Sequence, residues 1–354
     1  MLMIITFHIW CHCINISLTD YVGQGNDYFC FPDFSKKLLI LVAIAPMGQV
    51  ANAIFILISG YFLVNKGNGI NLARISRKLL LQLGFAAMIL GTASIVAYNT
   101  VTEHSITLID FNAFNSLSWF VGYYFIVIVF AKLFLNKYLD SLSKKNYMMF
   151  LLTLFALLQF EWSRNILARL AGGLEVVLTG VFLYSLGGFI RKYNPFEKIR
   201  TWAVIAVIIA IILIVCGNYY ITTANKIMDF HPESGAVFTQ SIPEYYNFQF
   251  IPITLGVSIF ELFRRMKLPD SRIINYLGAA TFMVYLFHDN AFIYKIWGIT
   301  DWVTLLHDDM LLFIAMYLVW TLGTFGVGVV LYTVYIFVGK LLQVCKPFVM
   351  KSGE

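Results

Sequence analysis

The chain has 354 residues, 60% of them hydrophobic and only 12% charged, with a mean hydropathy of +0.77 and a formal net charge of +6. A soluble domain carries roughly 25% charged residues, so this composition excludes a water-soluble protein and places the chain in a bilayer. No basic stripe interleaved with aromatics and no helix-turn-helix spacing accompanies the positive charge, so nucleic acid is not an expected partner.

Apolar runs recur at residues 1–17, 38–64, 79–98, 116–135, 147–160, 173–190, 201–220, 246–263, 274–296 and 310–339. Runs near 20 residues match the thickness of the hydrocarbon core, and helices satisfy their own backbone there. The expected fold is therefore all-α, a polytopic membrane bundle of about ten transmembrane helices. It forms one integral-membrane domain over 1–345 with a short tail over 346–354. The fifth run is the shortest, and no internal repeat is visible.

The first run contains "FHIWCHC", in which His8, His12 and Asn15 share one helical face. Polar groups in hydrocarbon cost free energy. A neutral imidazole suits a general base, and a histidine satisfied by a backbone carbonyl is the equal alternative for His8. Cys11, His12 and Cys13 are consecutive and point in different directions, so no metal site is expected there. In the second run Gln49, Asn52 and Ser59 form a stripe with Gly60 close by. Ser59 and Gly60 read as helix packing. Arg74 and Arg77 precede the third run, either as inside-positive charges or as a clamp on a phosphate.

The fourth run aligns Ser116, Trp119 and Tyr123, and the ninth aligns Thr281, Tyr285 and His288, with Asp289 next. His288 is either a catalytic or substrate-orienting group or an interfacial residue at the outer end of its span. Four polar stripes imply a shared, partly hydrated cavity. Glu261, Arg264 and Arg265 read as an ion pair on a helix surface. The 221–245 connection, with Asn225, Asp229, His231 and Glu233, reads as a solvated linker, and Trp162, Trp202, Trp297 and Trp302 as interfacial anchors. With the N-terminus inside, 18 Lys and Arg fall on inner loops and the tail and six on the outer side, so both ends are expected in the cytoplasm.

The blocks "MLMIITFH", "NAIFILISGYFLV", "RISR", "SWFVGYYFIV", "FLYSLGGFIRKY" and "LGAATFMVYLFHDN" occur in that order. Together they resemble the membrane acyltransferase-3 family, and within it the bacterial capsular and surface-polysaccharide O-acetyltransferases. The resemblance implies a bundle in the bacterial cytoplasmic membrane. Such a bundle takes acetyl from acetyl-coenzyme A, with no metal, and passes it to a hydroxyl of a glycan acceptor that is free or lipid-linked. It gives His8 the catalytic role and Arg74 and Arg77 the coenzyme A phosphates. His12, Asn52, Ser59, Tyr61 and Trp119 then become candidates to orient the acceptor or stabilise an oxyanion, as do Tyr123, Tyr285, His288 and Asp289. The family motif also has an Arg eleven places before this His, which falls before residue 1. The first run, 17 residues, rises about 25 Å against a core of roughly 30 Å. A truncated start is therefore expected. The alternatives are a flippase of polysaccharide intermediates, for which the Gly-rich "TLGTFGVGV" of the tenth run speaks, and a truncated, inactive relative.

Overall fold

The computed structural model describes residues 1–18, 32–97, 119–222, 242–267 and 269–349, and among the described residues there is no strand. Ser116, Asn225, Asp229, His231 and Glu233 lie outside the described residues. Helix α1 (Leu2–Ile9) runs into a π-turn at Trp10–Ile14. Short helices α2 (Pro32–Lys37) and α3 (Leu39–Ile44) lead to α4 (Met47–Leu63), with Pro46 at its N-cap. Then come α5 (Leu72–Ala97), α6 (Trp119–Phe130), a second π-turn at Ala131–Leu135, α7 (Asn136–Ser141) and α8 (Lys144–Gln159). Next are α9 (Glu161–Leu170), α10 (Leu174–Tyr193), α11 (Thr201–Thr222) and α12 (Phe250–Arg265). The chain ends in α13 (Arg272–His288), α14 (Ala291–Trp297), α15 (Trp302–Asp308) and α16 (Met310–Val349).

Among the described residues, six stretches are long and apolar enough to cross a membrane: Leu39–Gly67, Leu72–Ala93, Trp119–Ser141, Leu174–Tyr193, Thr201–Thr222 and Met310–Leu341. Leu2–Leu18 is a shorter apolar helix, and α8, α12 and α13 have 16, 16 and 17 residues. The ninth run differs from its reading as one helix, because α13 stops at His288 and α14 begins at Ala291. Asn290 is extended at the break, and its Oδ1 accepts from the Ile293 N–H at 3.1 Å, the N-cap arrangement that starts a new helix. Residues read as part of a connection form α9, on which Trp162, Ile166 and Leu170 make an exposed stripe at helical spacing. An amphipathic helix with that face outward suits a bilayer interface.

Helix α4 packs most extensively on α10, and glycines set the spacing. A Cβ on Gly60 would fall 1.9 Å from the Tyr184 carbonyl oxygen, and one on Gly187 would fall 2.2 Å from that of Leu57. Small residues at such crossings let backbones touch, which is how membrane helices gain packing without a hydrophobic driving force. Gly60 is thus a packing residue, and so is Ser59, which is buried and donates to the Phe55 carbonyl at 3.0 Å. Beside this seam Asn136 donates to the Leu63 carbonyl and accepts from the Tyr184 hydroxyl, both at 3.0 Å. The core has two parts. One gathers α1, α3, α14, α15 and the first turns of α16, and the other gathers the later half of α4 with α6, α8 and α10.

The Glu261 reading needs correction. Glu261 is 2% exposed, and its carboxylate accepts from Arg264 Nε and Arg265 Nε, each at 2.7 Å. The arginines reach on, Arg264 to Asn194 Oδ1 at 2.6 Å and Arg265 to the carbonyls of Phe196 and Ile199. What reads as a surface pair is a buried clamp tying the end of α12 to the α10–α11 connection. Helical spacing alone cannot tell the two apart, because a neighbouring segment supplies the burial.

Candidate active site

Three elements bring the polar groups of the first and ninth runs together. Gly48 of α4 leaves the space that the Phe7 ring fills, since a Cβ there would stand 2.3 Å from Phe7 Cδ1. That contact fixes the rotation of α1, and His8 comes to lie with its ring centroid 5.1 Å from that of His288 on α13. The π-turn at Trp10–Ile14 inserts one residue into the helix and still leaves the His8 and His12 rings 5.3 Å apart. Single π-turns inside helices recur at functional sites.

The helix break supplies the third component. Asp289 is 3% exposed, and its Oδ1 stands 3.6 Å from His8 Nδ1, longer than a hydrogen bond. The same oxygen accepts from the Tyr294 hydroxyl at 2.6 Å, and Tyr285 also interacts with this carboxyl. Tyr294 is held in turn by His12, whose ring stacks on it at 4.1 Å and 11°, and by its own carbonyl, which accepts from Cys13 Sγ at 3.2 Å. His8 Nδ1 is buried without a hydrogen bond while the side chain keeps 13% exposure.

His288 is fully buried, and its Nδ1 lies 2.7 Å from the Val284 carbonyl. A carbonyl only accepts, so Nδ1 carries the proton and Nε2, buried and unpartnered, is left as an acceptor. Its alternative reading as an interfacial residue does not fit this burial. Trp119 and Tyr123 join the group through aromatic contacts. Their rings are 5.6 Å apart, Phe120 lies 5.7 Å from Tyr123 and 5.8 Å from Tyr285, and Tyr285 lies 5.9 Å from His288. The first, fourth and ninth runs thus meet. Gln49, next to Gly48, and Asn52, one turn along, are half-buried and pair with each other at 3.4 Å.

Tyr61 and the two arginines stand elsewhere. The Tyr61 hydroxyl accepts from Arg191 at 3.2 Å, beside the Glu261 clamp. Arg74 and Arg77 are exposed on the first turns of α5, and Asn71 Oδ1 caps that helix by accepting from the Arg74 N–H at 2.9 Å. Tyr276 at the start of α13 and Phe85 in mid-α5 meet Tyr332 and Tyr335 of α16, whereas Leu90, further along α5, joins the core that holds Ile9 and Ile293; α5 therefore starts, and carries these arginines, at the end away from His288. One site residue escapes a reading of the sequence: Tyr294 lies beyond the helix break, and the only signal for it was the Asp-Asn pair before a new apolar run. Among the described residues, no group of three or more His, Cys, Asp or Glu is arranged to hold a metal ion.

The chain matches the family model for an acyltransferase domain, that of the acyltransferase-3 family, over residues 1–333. No curated protein and no solved structure matches it. The matched segment contains His8, Arg74, Arg77, His288 and Asp289 together with all six membrane-crossing stretches up to residue 333. With its apolar helices and a polar cluster buried among them, the chain belongs to the acyltransferase-3 family and is a membrane acyltransferase.

Proposed function

We propose that this protein moves an acetyl group from acetyl-coenzyme A to a hydroxyl of a cell-surface polysaccharide or its lipid-linked precursor. It does so in the bacterial cytoplasmic membrane, with about ten spans and both ends in the cytoplasm. The observation that carries the reading is the chain of groups from Tyr294 through Asp289 to His8. A carboxylate facing Nδ1 holds the imidazole in the tautomer whose Nε2 is free to take a proton. The 3.6 Å gap is what a base shows before substrate tightens the site.

In this scheme His8 Nε2 accepts the proton of the attacking hydroxyl as its oxygen bonds to the thioester carbonyl carbon. The carbon–sulfur bond then breaks, and the departing coenzyme A thiolate takes the proton back from His8. His288, with its one N–H committed to the Val284 carbonyl, suits the acceptor hydroxyl and not the oxyanion. Asn52, whose amide makes a long 3.4 Å contact with Gln49, is the better oxyanion donor. Arg74 and Arg77 receive the donor's phosphates at the far end, so its arm runs extended through the bundle.

The test is transfer of labelled acetyl from acetyl-coenzyme A to glycan in membranes holding this chain, beside His8→Ala and Asp289→Asn. Loss of label by about a hundred-fold or more in His8→Ala, the contribution of a positioned base, is expected. Transfer that is unchanged in His8→Ala removes the catalytic role, and no transfer from the parent chain removes the activity.

A further inference from the structure

We infer that the groove between α5 and α16 is a binding site for an anionic phosphoglyceride of the membrane, with its phosphate at Lys340. The inference rests on the membrane setting and not on the transfer reaction.

The groove has a volume of about 580 Å³, within the range of about 300–1,000 Å³ typical of ligand clefts. Its walls are Leu81, Gly84 and Met88 on one side and Tyr335, Ile336 and Gly339 on the other, with Lys340 also in the lining. Two features define it. The first concerns the glycines: a Cβ at Gly84 or Gly339 meets no atom within 4 Å, so these two wall positions leave the space between the helices open, unlike Gly60 and Gly187, where backbones touch.

The second is where the cation falls: Lys340, exposed, stands in the lining beside Gly339, one helical turn beyond Tyr335 and Ile336. Measured from the Phe85–Tyr335 ring contact, Lys340 lies about 7 Å toward the end of α16. An apolar slot with an exposed cation at its end matches a lipid whose tail is hydrocarbon and whose head is a phosphate, the composition of basic inter-helix lipid pockets. Another groove, between α11 and α12, is lined by Val204, Val207, Ile253 and Glu261 and has no cation in its walls.

The experiment uses the full chain in detergent, stripped of lipid and offered equal amounts of phosphatidylglycerol, phosphatidylcholine and a polyprenyl phosphate. Retained lipid is then read by mass spectrometry of the intact complex. Preferential retention of phosphatidylglycerol is expected. It should fall about five-fold in Lys340→Gln, equivalent to about 1 kcal/mol for one cation, and disappear in Gly84→Leu, whose Cβ meets no atom within 4 Å and whose side chain occupies the groove. Equal retention of phosphatidylcholine, or phosphatidylglycerol retention unchanged in both variants, overturns the site. Retention of the polyprenyl phosphate in place of phosphatidylglycerol overturns the glycerolipid assignment. A chain that fails to transfer acetyl but shows the expected lipid pattern leaves this inference standing.

Discussion

Tyr294 tests the site with the removal of a single atom. Tyr294→Phe keeps the ring stacked on His12 and deletes the 2.6 Å hydrogen bond that aims Asp289 at His8. A hydrogen bond to a charged group is worth about 1.5–3 kcal/mol, so kcat is expected to fall at least ten-fold with KM for acetyl-coenzyme A nearly constant. A change confined to KM would separate Tyr294 from the base. His8, His12 and His288 were legible in the sequence because an ionisable group in an apolar run stands out by its cost. Tyr294 was not, since a tyrosine near a membrane interface has a commonplace reason to be there. The Glu261 clamp was legible as a pair but not as a buried one, because Asn194, Phe196 and Ile199 come from a distant part of the chain.

Helix α4 shows how packing locates the chemistry. Its early turns hold α1 through Gly48, and its later turns hold α10 through Gly60. Gly60→Ala places a methyl group 1.9 Å from the Tyr184 carbonyl oxygen, where backbone must move. Overpacking of this kind costs about 1–3 kcal/mol, so a clear drop in the unfolding midpoint in detergent is expected. Gly217→Ala on α11, where a Cβ meets no atom within 4 Å, is the matched control and should raise the midpoint slightly, since alanine is the better helix former by about 1 kcal/mol. Hydropathy located the apolar helices well, because length and composition decide whether a segment crosses a bilayer. It missed the division of the ninth run, where hydrogen bonding by Asn290 overrides apolar continuity. It also missed the two π-turns, which leave no mark in composition.

The whole molecule sorts its charge by end. Cations at Arg74, Arg77, Arg272 and Lys340 gather where α5 and α13 begin and α16 ends, and the histidines lie toward the other end. By the inside-positive rule a reporter enzyme active only outside the cytoplasm is expected to be silent when fused after Lys351 and active when inserted in the 223–241 connection. The reverse pattern would invert the direction of transfer. Helix α13 is tied to α16 at two heights: Val284 lies against Gly328 so closely that a Cβ on the glycine would be 2.8 Å from Val284 Cα, and near the charged end the Tyr276 hydroxyl lies 2.6 Å from Thr333 Oγ1. The two ties are about 12 Å apart along the helix. Fastened twice to one neighbour, α13 is a strut, and His288 at its far end keeps its place whatever binds among the cations at the near end.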